Sequence, residues 1–251
     1  MRWLLLLLAC PVFGQERIVE SIIPALAFGP QCSSVLDLRN LSDRGVMVDV
    51  EGHRASGALV SLAGRSGTTI RMAAHEHGNY KLEISEQTNG AWARIREHIP
   101  AAGLSPALAV SAATECVVAN QLRTVTRDVA FPMRNPWFSS DVAELNEGLI
   151  SLINTAESPV QASLCYSSGS HYSLPNARGG ADWKPICATA FDVQIPPFGS
   201  REFPVSRGGS SHLQLKTAGE SIVLELLRPL EEHIRVYVVD SSIRFSEELK
   251  P

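Results

Sequence analysis

His75, Glu76 and His77 put two imidazoles on alternate residues, and alternate residues of a strand point the same way, so the triplet has the spacing of two ligands to one metal ion. A third ligand would have to come from His53 or His98, and nothing in their spacing requires it. Gly78 and Asn79 follow directly, so the triplet reads as a polar turn and no metal site is assigned. Ser66 stands in GlyArgSerGly, which lacks the fifth position of a nucleophile elbow and falls between two expected strands, where an elbow needs a strand and a helix. Ser168 and Ser170 with His171, and Ser210 and Ser211 with His212, are adjacent in sequence, but a catalytic triad is defined by geometry that adjacency does not supply. Glu231 with Glu232 and Glu247 with Glu248 read as solvated neighbours, not as the separated carboxylates of a glycosidase. No glycine-rich phosphate cradle occurs, and the ArgGlyGly triplets at Arg178 and Arg207 are isolated. The expectation is a non-enzyme with no catalytic residue, no cofactor and no metal.

Binding chemistry is concentrated between Cys165 and Cys187. The segment Tyr166–Ile186 carries His171, Tyr172, Arg178, Trp183 and the adjacent Gly179 and Gly180. A disulfide closing a loop of this size contributes about 3 kcal/mol in the chain-entropy model. Stapled loops on rigid scaffolds are frequent binding sites, so Tyr172, Trp183, His171 and Arg178 are the candidate ligand-binding residues. The competing reading has Trp183 packed inward and the loop covering a sheet. ProTrpPhe at Pro136–Phe138 is a second aromatic cluster, expected to pack between domains.

The elements that would position this loop are written twice. Leu36, Leu38, Asn40, Val46, Val48 and Val50 align without a gap with Ile150, Leu152, Asn154, Val160, Ala162 and Leu164. In both runs apolar residues alternate, break at Asn and a polar turn containing Gly45 or Pro159, and alternate again, which is the pattern of strand, turn, strand. Downstream, Leu62–Ile70 is laid over Ile195–Phe203, Leu82 and Ile84 over Leu213 and Leu215, and Ala91–Ile95 over Ile222–Leu226; upstream, the run at Arg17 is laid over the run at Arg123. The one helical candidate is Asp141–Leu149, with Asp141 as cap and Glu144 three residues on; a single turn in a loop is its alternative. Elsewhere short alternating runs separated by Gly, Pro, Asn and Ser give the cadence of an all-β sandwich.

The phrase SerLeuIleAsnThrAlaGluSerProValGlnAlaSerLeu, from Ser151, with ValGlnIleProProPheGlySerArgGluPhePro, from Val193, resembles the pattern of many bacterial immunoglobulin-like domains. The resemblance implies a shape and no particular activity. The expected organisation is a leader over 1–14, a first immunoglobulin-like antiparallel β-sandwich over 15–122 and a second over 123–248 bearing the inserted loop 166–186.

Arg2, the leucine-rich run to Ala9 and the small-residue exit at Val12 and Gly14 read as a secretory signal, too short for the roughly 20 residues of a membrane-spanning helix. Two processing routes stand open: cleavage after Gly14, or lipid attachment at Cys10. The 251 residues carry a net charge of −4, which argues against nucleic acid as a partner. Cys32, Cys116, Cys165 and Cys187 form an even set for an oxidising compartment, and the expected pairs are Cys32 with Cys116 and Cys165 with Cys187. Asn40, Leu41 and Ser42 spell a glycosylation sequon, but Asn154 holds the equivalent turn position, which points to a structural role. The functional expectation is an exported, periplasmic or extracellular binding and scaffolding protein acting on a protein or cell-envelope component. Two alternatives remain: an assembly factor lending a sheet edge to a client, and a carbohydrate-binding accessory domain.

Overall fold

The computed structural model describes residues 16–29, 31–65, 67–84, 88–100, 104–130, 137–142, 148–168, 171–175, 181–185, 189–205, 211–217, 221–229 and 237–239; for 88–89, 137–142, 165–168, 171–175, 181–185, 189–191, 205, 211–217, 225–229 and 237–239 the description is of backbone alone. These residues form an all-β, antiparallel, sandwich-like structure. No described helix is long and apolar enough to cross a membrane.

The first nine strands are β1 (Arg17–Phe28), β2 (Cys32–Asn40), β3 (Val46–His53), β4 (Leu59–Val60), β5 (Thr69–Met72), β6 (His77–Lys81), β7 (Thr88–Ile99), β8 (Leu108–Val118) and β9 (Gln121–Arg127). They build two sheets, ordered β1-β7-β3-β4 with β5 also on β3, and β6-β2-β8-β9. Strict alternation gives each sheet one apolar face. Leu36 and Leu38 from one sheet meet Val46, Val48, Val50, Ile70 and Ile95 from the other in a shared core. Cys32 lies opposite Cys116 in the β2–β8 register, and the two form a disulfide. The bridge therefore staples neighbouring strands of one sheet, unlike the inter-sheet bridge of antibody domains.

The remaining strands are β10 (Trp137–Val142), β11 (Gly148–Asn154), β12 (Val160–Ser168), β13 (His171–Pro175), β14 (Ala181–Pro185), β15 (Thr189–Ile195), β16 (Ser200–Val205), β17 (Ser211–Thr217), β18 (Ile222–Pro229) and β19 (Tyr237–Val239). Their sheets run β10-β17-β12-β15 and β16-β11-β18-β19. In sheet order, β1, β7 and β3 take positions like those of β10, β17 and β12, β5 and β4 together cover the stretch of β3 that corresponds to the β15-paired stretch of β12 (Val46 opposite Met72, Val160 opposite Ile195), and β6, β2, β8 and β9 take positions like those of β16, β11, β18 and β19. The surplus in the second set is β13 and β14, which among the described residues pair with each other alone.

The turns that follow β2 and β11 are built alike around a buried asparagine. Asn40 donates from Nδ2 to Arg44 O (2.6 Å) and Ala73 O (2.7 Å), and its Oδ1 accepts from Ser42 N (3.0 Å). Asn154 donates to Ser158 O (2.8 Å) and Pro196 O (3.0 Å) and accepts from Ala156 N (2.9 Å). Each side chain thus bonds the carbonyl four residues on and the amide two residues on, and satisfies backbone that would otherwise be buried unpaired. At 1% exposure and fully engaged, the Asn40 amide has no room for a glycan.

Several sequence alignments slip by a strand. Ala91–Ile95 lies in β7, whose place in the second pair of sheets belongs to β17 and not to Ile222–Leu226 in β18. The run at Arg123 belongs to β9, which pairs β8, so a cut between Leu122 and Arg123 passes through a strand of the first pair. Successive amphipathic strands share one period, so alternation alone cannot tell β7 from its neighbours. Asp141 and Val142 end β10 and Gly148 and Leu149 open β11, so both ends of the helical candidate are strand; residues 143–147 lie outside the described residues. The segment read as a loop over 166–186 includes the end of β12 and the β13–β14 hairpin.

Candidate functional site

Polar chemistry gathers on the outward face of β3 and β7. Their register sets Met47 opposite His98, Asp49 opposite Arg96, Glu51 opposite Arg94 and His53 opposite Trp92, while the residues between them face the core. Arg94 donates to Glu51 Oε2 from Nε (3.0 Å) and Nη2 (2.5 Å), and Arg96 Nη2 donates to Glu51 Oε1. Further along, His98 Nε2 is 2.8 Å from Asp49 Oδ2 and its Nδ1 is 2.8 Å from Glu16 Oε1. Only an imidazolium donates from both nitrogens. In keeping with this, the hydrogen bond to Asp49 holds the His98 pKa above its ordinary value, against the opposing effect of burial and with help from Glu16. Burial alone would raise the Asp49 pKa, but hydrogen bonds from Thr69 (2.6 Å) and His98 keep it below the usual carboxylate value.

At its other end the charged row runs under the C-terminal half. The turn after β15, Pro196-Pro197-Phe198-Gly199, closes through Gly199 N to Pro196 O (3.0 Å), and Phe198 has a φ of 52°. This is the third position of a type II pattern, which favours glycine. A non-glycine residue is strained there and persists where its surroundings hold it. Here they do. Phe198 O accepts from Trp92 Nε1 (2.9 Å), its ring stacks on His53 at 5.1 Å, and Arg94 lies over it at 4.4 Å. His53 in turn stacks on Trp92 at 4.5 Å.

Backbone contacts reinforce the joint. Ser200 donates from N to Ala55 O (2.9 Å) and from Oγ to Gly90 O (2.9 Å). Gly57, at φ 86°, approaches so closely that a Cβ would stand 2.1 Å from Pro197 O. Below the turn, Ile22, Trp92, Ile153 and Val223 form a small apolar core shared by both halves, with Phe198 and Ala130 packed on it. Glu202 lies near Gly90, and burial raises its pKa.

The residues singled out from sequence are dispersed. His75 binds Asp43 (2.7 Å) and His77 binds Asp37 (2.9 Å), each on its own. Among the described residues no three His, Cys, Asp or Glu side chains converge as metal ligands do. Tyr172 pairs with Lys184 and Ser173 with Trp183 on consecutive rungs of the β13–β14 hairpin, and His171 pairs with Pro185. Arg178 and Cys187, hence the Cys165–Cys187 bridge, lie outside the described residues, as do residues 1–15 with Cys10. Trp92, Arg94 and Phe198 were passed over in the sequence, although Asp49 and Glu51 against Arg94, Arg96 and His98 are complementary charges at alternate positions of two strands. Compared with known protein families, curated proteins and solved structures, the chain matches none.

Proposed function

We propose that this chain is an exported, non-enzymatic binding and scaffolding protein made of two immunoglobulin-like β-sandwich domains descended from one duplicated unit. The observation that carries the reading is the β13–β14 hairpin: it is the surplus between β12 and β15, paired among the described residues with no other strand, on a frame whose halves are docked to each other. Aromatic residues on a ribbon held by a rigid support are suited to recognising a partner surface. The matching sheet orders and the matching Asn40 and Asn154 turns support the duplication. The Cys32–Cys116 disulfide is compatible with export.

Recognition by the hairpin is preferred over edge lending because two of the edge strands carry charged residues or proline of the kind that guards an edge. β16 carries Arg201, Glu202 and Pro204, and β9 carries the exposed Arg123. Replacing Tyr172 and Trp183 together by Ala, then measuring binding to envelope polysaccharides and secreted proteins, tests the proposal. Binding lost at unchanged melting temperature is the expected result. Melting temperature lost together with binding would make the hairpin a structural cover.

A further inference from the structure

One titratable side chain is enclosed at the centre of the joint. His53 is 1% exposed, its ring lies between those of Trp92 and Phe198, and two oxygens face its edge: Gly57 O, 3.4 Å from Nδ1, and Glu51 Oε2, 3.6 Å from Nε2. Both distances exceed those of a good hydrogen bond, and Nε2 is buried without one. The charged groups around it are Glu51 on β3, Arg94 on β7 and, reaching Arg94 at 4.0 Å, Glu20 on β1; Glu202 on β16 is the nearby acid of the C-terminal half. The docking turn itself brings none. Glu51 is already engaged on both oxygens by Arg94 and Arg96, so its charge is largely neutralised before it can serve an imidazolium.

We propose that His53 is a proton-operated latch: neutral, it seats the 196–200 turn on β3 and β7, and protonated, it releases that turn, so that the docked halves become two tethered bodies under mildly acid conditions. Opening would bare Trp92, Phe198, Ile22, Ile153 and Val223, an apolar surface that the closed joint hides. The sign follows from the surroundings. Burial foremost, then Arg94, holds the closed-state pKa below the ordinary histidine value, against the opposing pull of Gly57 O and Glu51. Opening restores the ordinary value, so a proton is taken up on release and acid favours the open form. For the His53 proton alone the ratio of open to closed rises up to about tenfold per pH unit below about 6.5, and Glu202, whose burial raises its pKa, opposes this in the range between its ordinary and its raised value. The latch requires no partner, so it can fail while the hairpin still binds, and the converse.

The test is an NMR titration of the full-length protein from about pH 8 to about pH 5, following the His53 ring signals and the residual dipolar couplings of both halves. The expected result is a His53 midpoint below about 6.5 and, in the same step, the replacement of one alignment tensor by two. His53→Phe keeps a ring in the stack without the proton and should hold one tensor throughout; His98→Gln should still split. A His53 midpoint at or above about 6.5, a single tensor through its titration, a split that survives in His53→Phe, or one lost in His98→Gln would each overturn the latch. The wild-type titration decides even if the Phe variant fails to fold.

Discussion

Replacing Asn40 or Asn154 by Ala removes closely similar bonds from two places in the chain. In each case two backbone carbonyls lose a close donor, and one backbone amide and one serine hydroxyl lose an acceptor: Arg44 O, Ala73 O, Ser42 N and Ser42 Oγ for Asn40; Ser158 O, Pro196 O, Ala156 N and Ser221 Oγ for Asn154, which also reaches Ile195 O at 3.4 Å. The side chains are 1% and 0% exposed, so water does not reach them in the folded protein. At about 1 kcal/mol net for each bond, and more where a buried group is left unpaired, each variant should lose about 3 to 4 kcal/mol. Urea unfolding of N40A and N154A measures this directly. The two losses should agree within about 1 kcal/mol, because the two turns are wired alike. A loss below about 1 kcal/mol in either, or a large loss in one alone, would refute the reasoning that both asparagines organise equivalent turns.

Gly57→Ala places a methyl where Pro197 O already stands, on a backbone at φ 86°, and should weaken the joint by about 2 kcal/mol or more while far-UV circular dichroism is kept; small-angle scattering that stays unchanged would contradict it. His98, with its folded pKa raised, contributes stability that is fully present below about pH 6.5 and is lost as pH rises through the folded value. His98→Gln should therefore cost stability at low pH and little above, and a pH-independent cost would be the wrong result. Replacing Cys32 and Cys116 by Ala opens a link across a sequence separation of 84 and should cost about 4 to 5 kcal/mol in the chain-entropy model, readable by thermal unfolding with and without reductant.

Much of the fold was legible because its signal is local. Leu36, Leu38, Val46, Val48 and Val50, with the aligned Ile150, Leu152, Val160, Ala162 and Leu164, announce strands by alternation, and all ten are buried. The asparagine turns were legible because Asn organises turns through its own side chain. Pairing order was not. The period of two is the same in every strand, so the downstream alignment slid from β17 to β18, and the cut at Leu122 fell inside β9. The joint was less visible still. His53 and Trp92 are brought together by register, and Phe198 reaches them from a turn more than a hundred positions away. In the sequence Phe198 was only a letter of a Pro and Gly corner. Its stacking partners come from strands of the N-terminal half, and its positive φ is not written in the letter.

Cross-strand nuclear Overhauser effects over the whole chain measure strand order without reference to any partner. If the chain is two docked copies of one sandwich, β12 must lie between β15 and β17 and β11 between β16 and β18, as β3 lies between β4 and β7 and β2 between β6 and β8, with further contacts from Phe198 to Trp92. A different strand order in the C-terminal half, or a Phe198 ring without contacts to Trp92 and His53, would contradict the account.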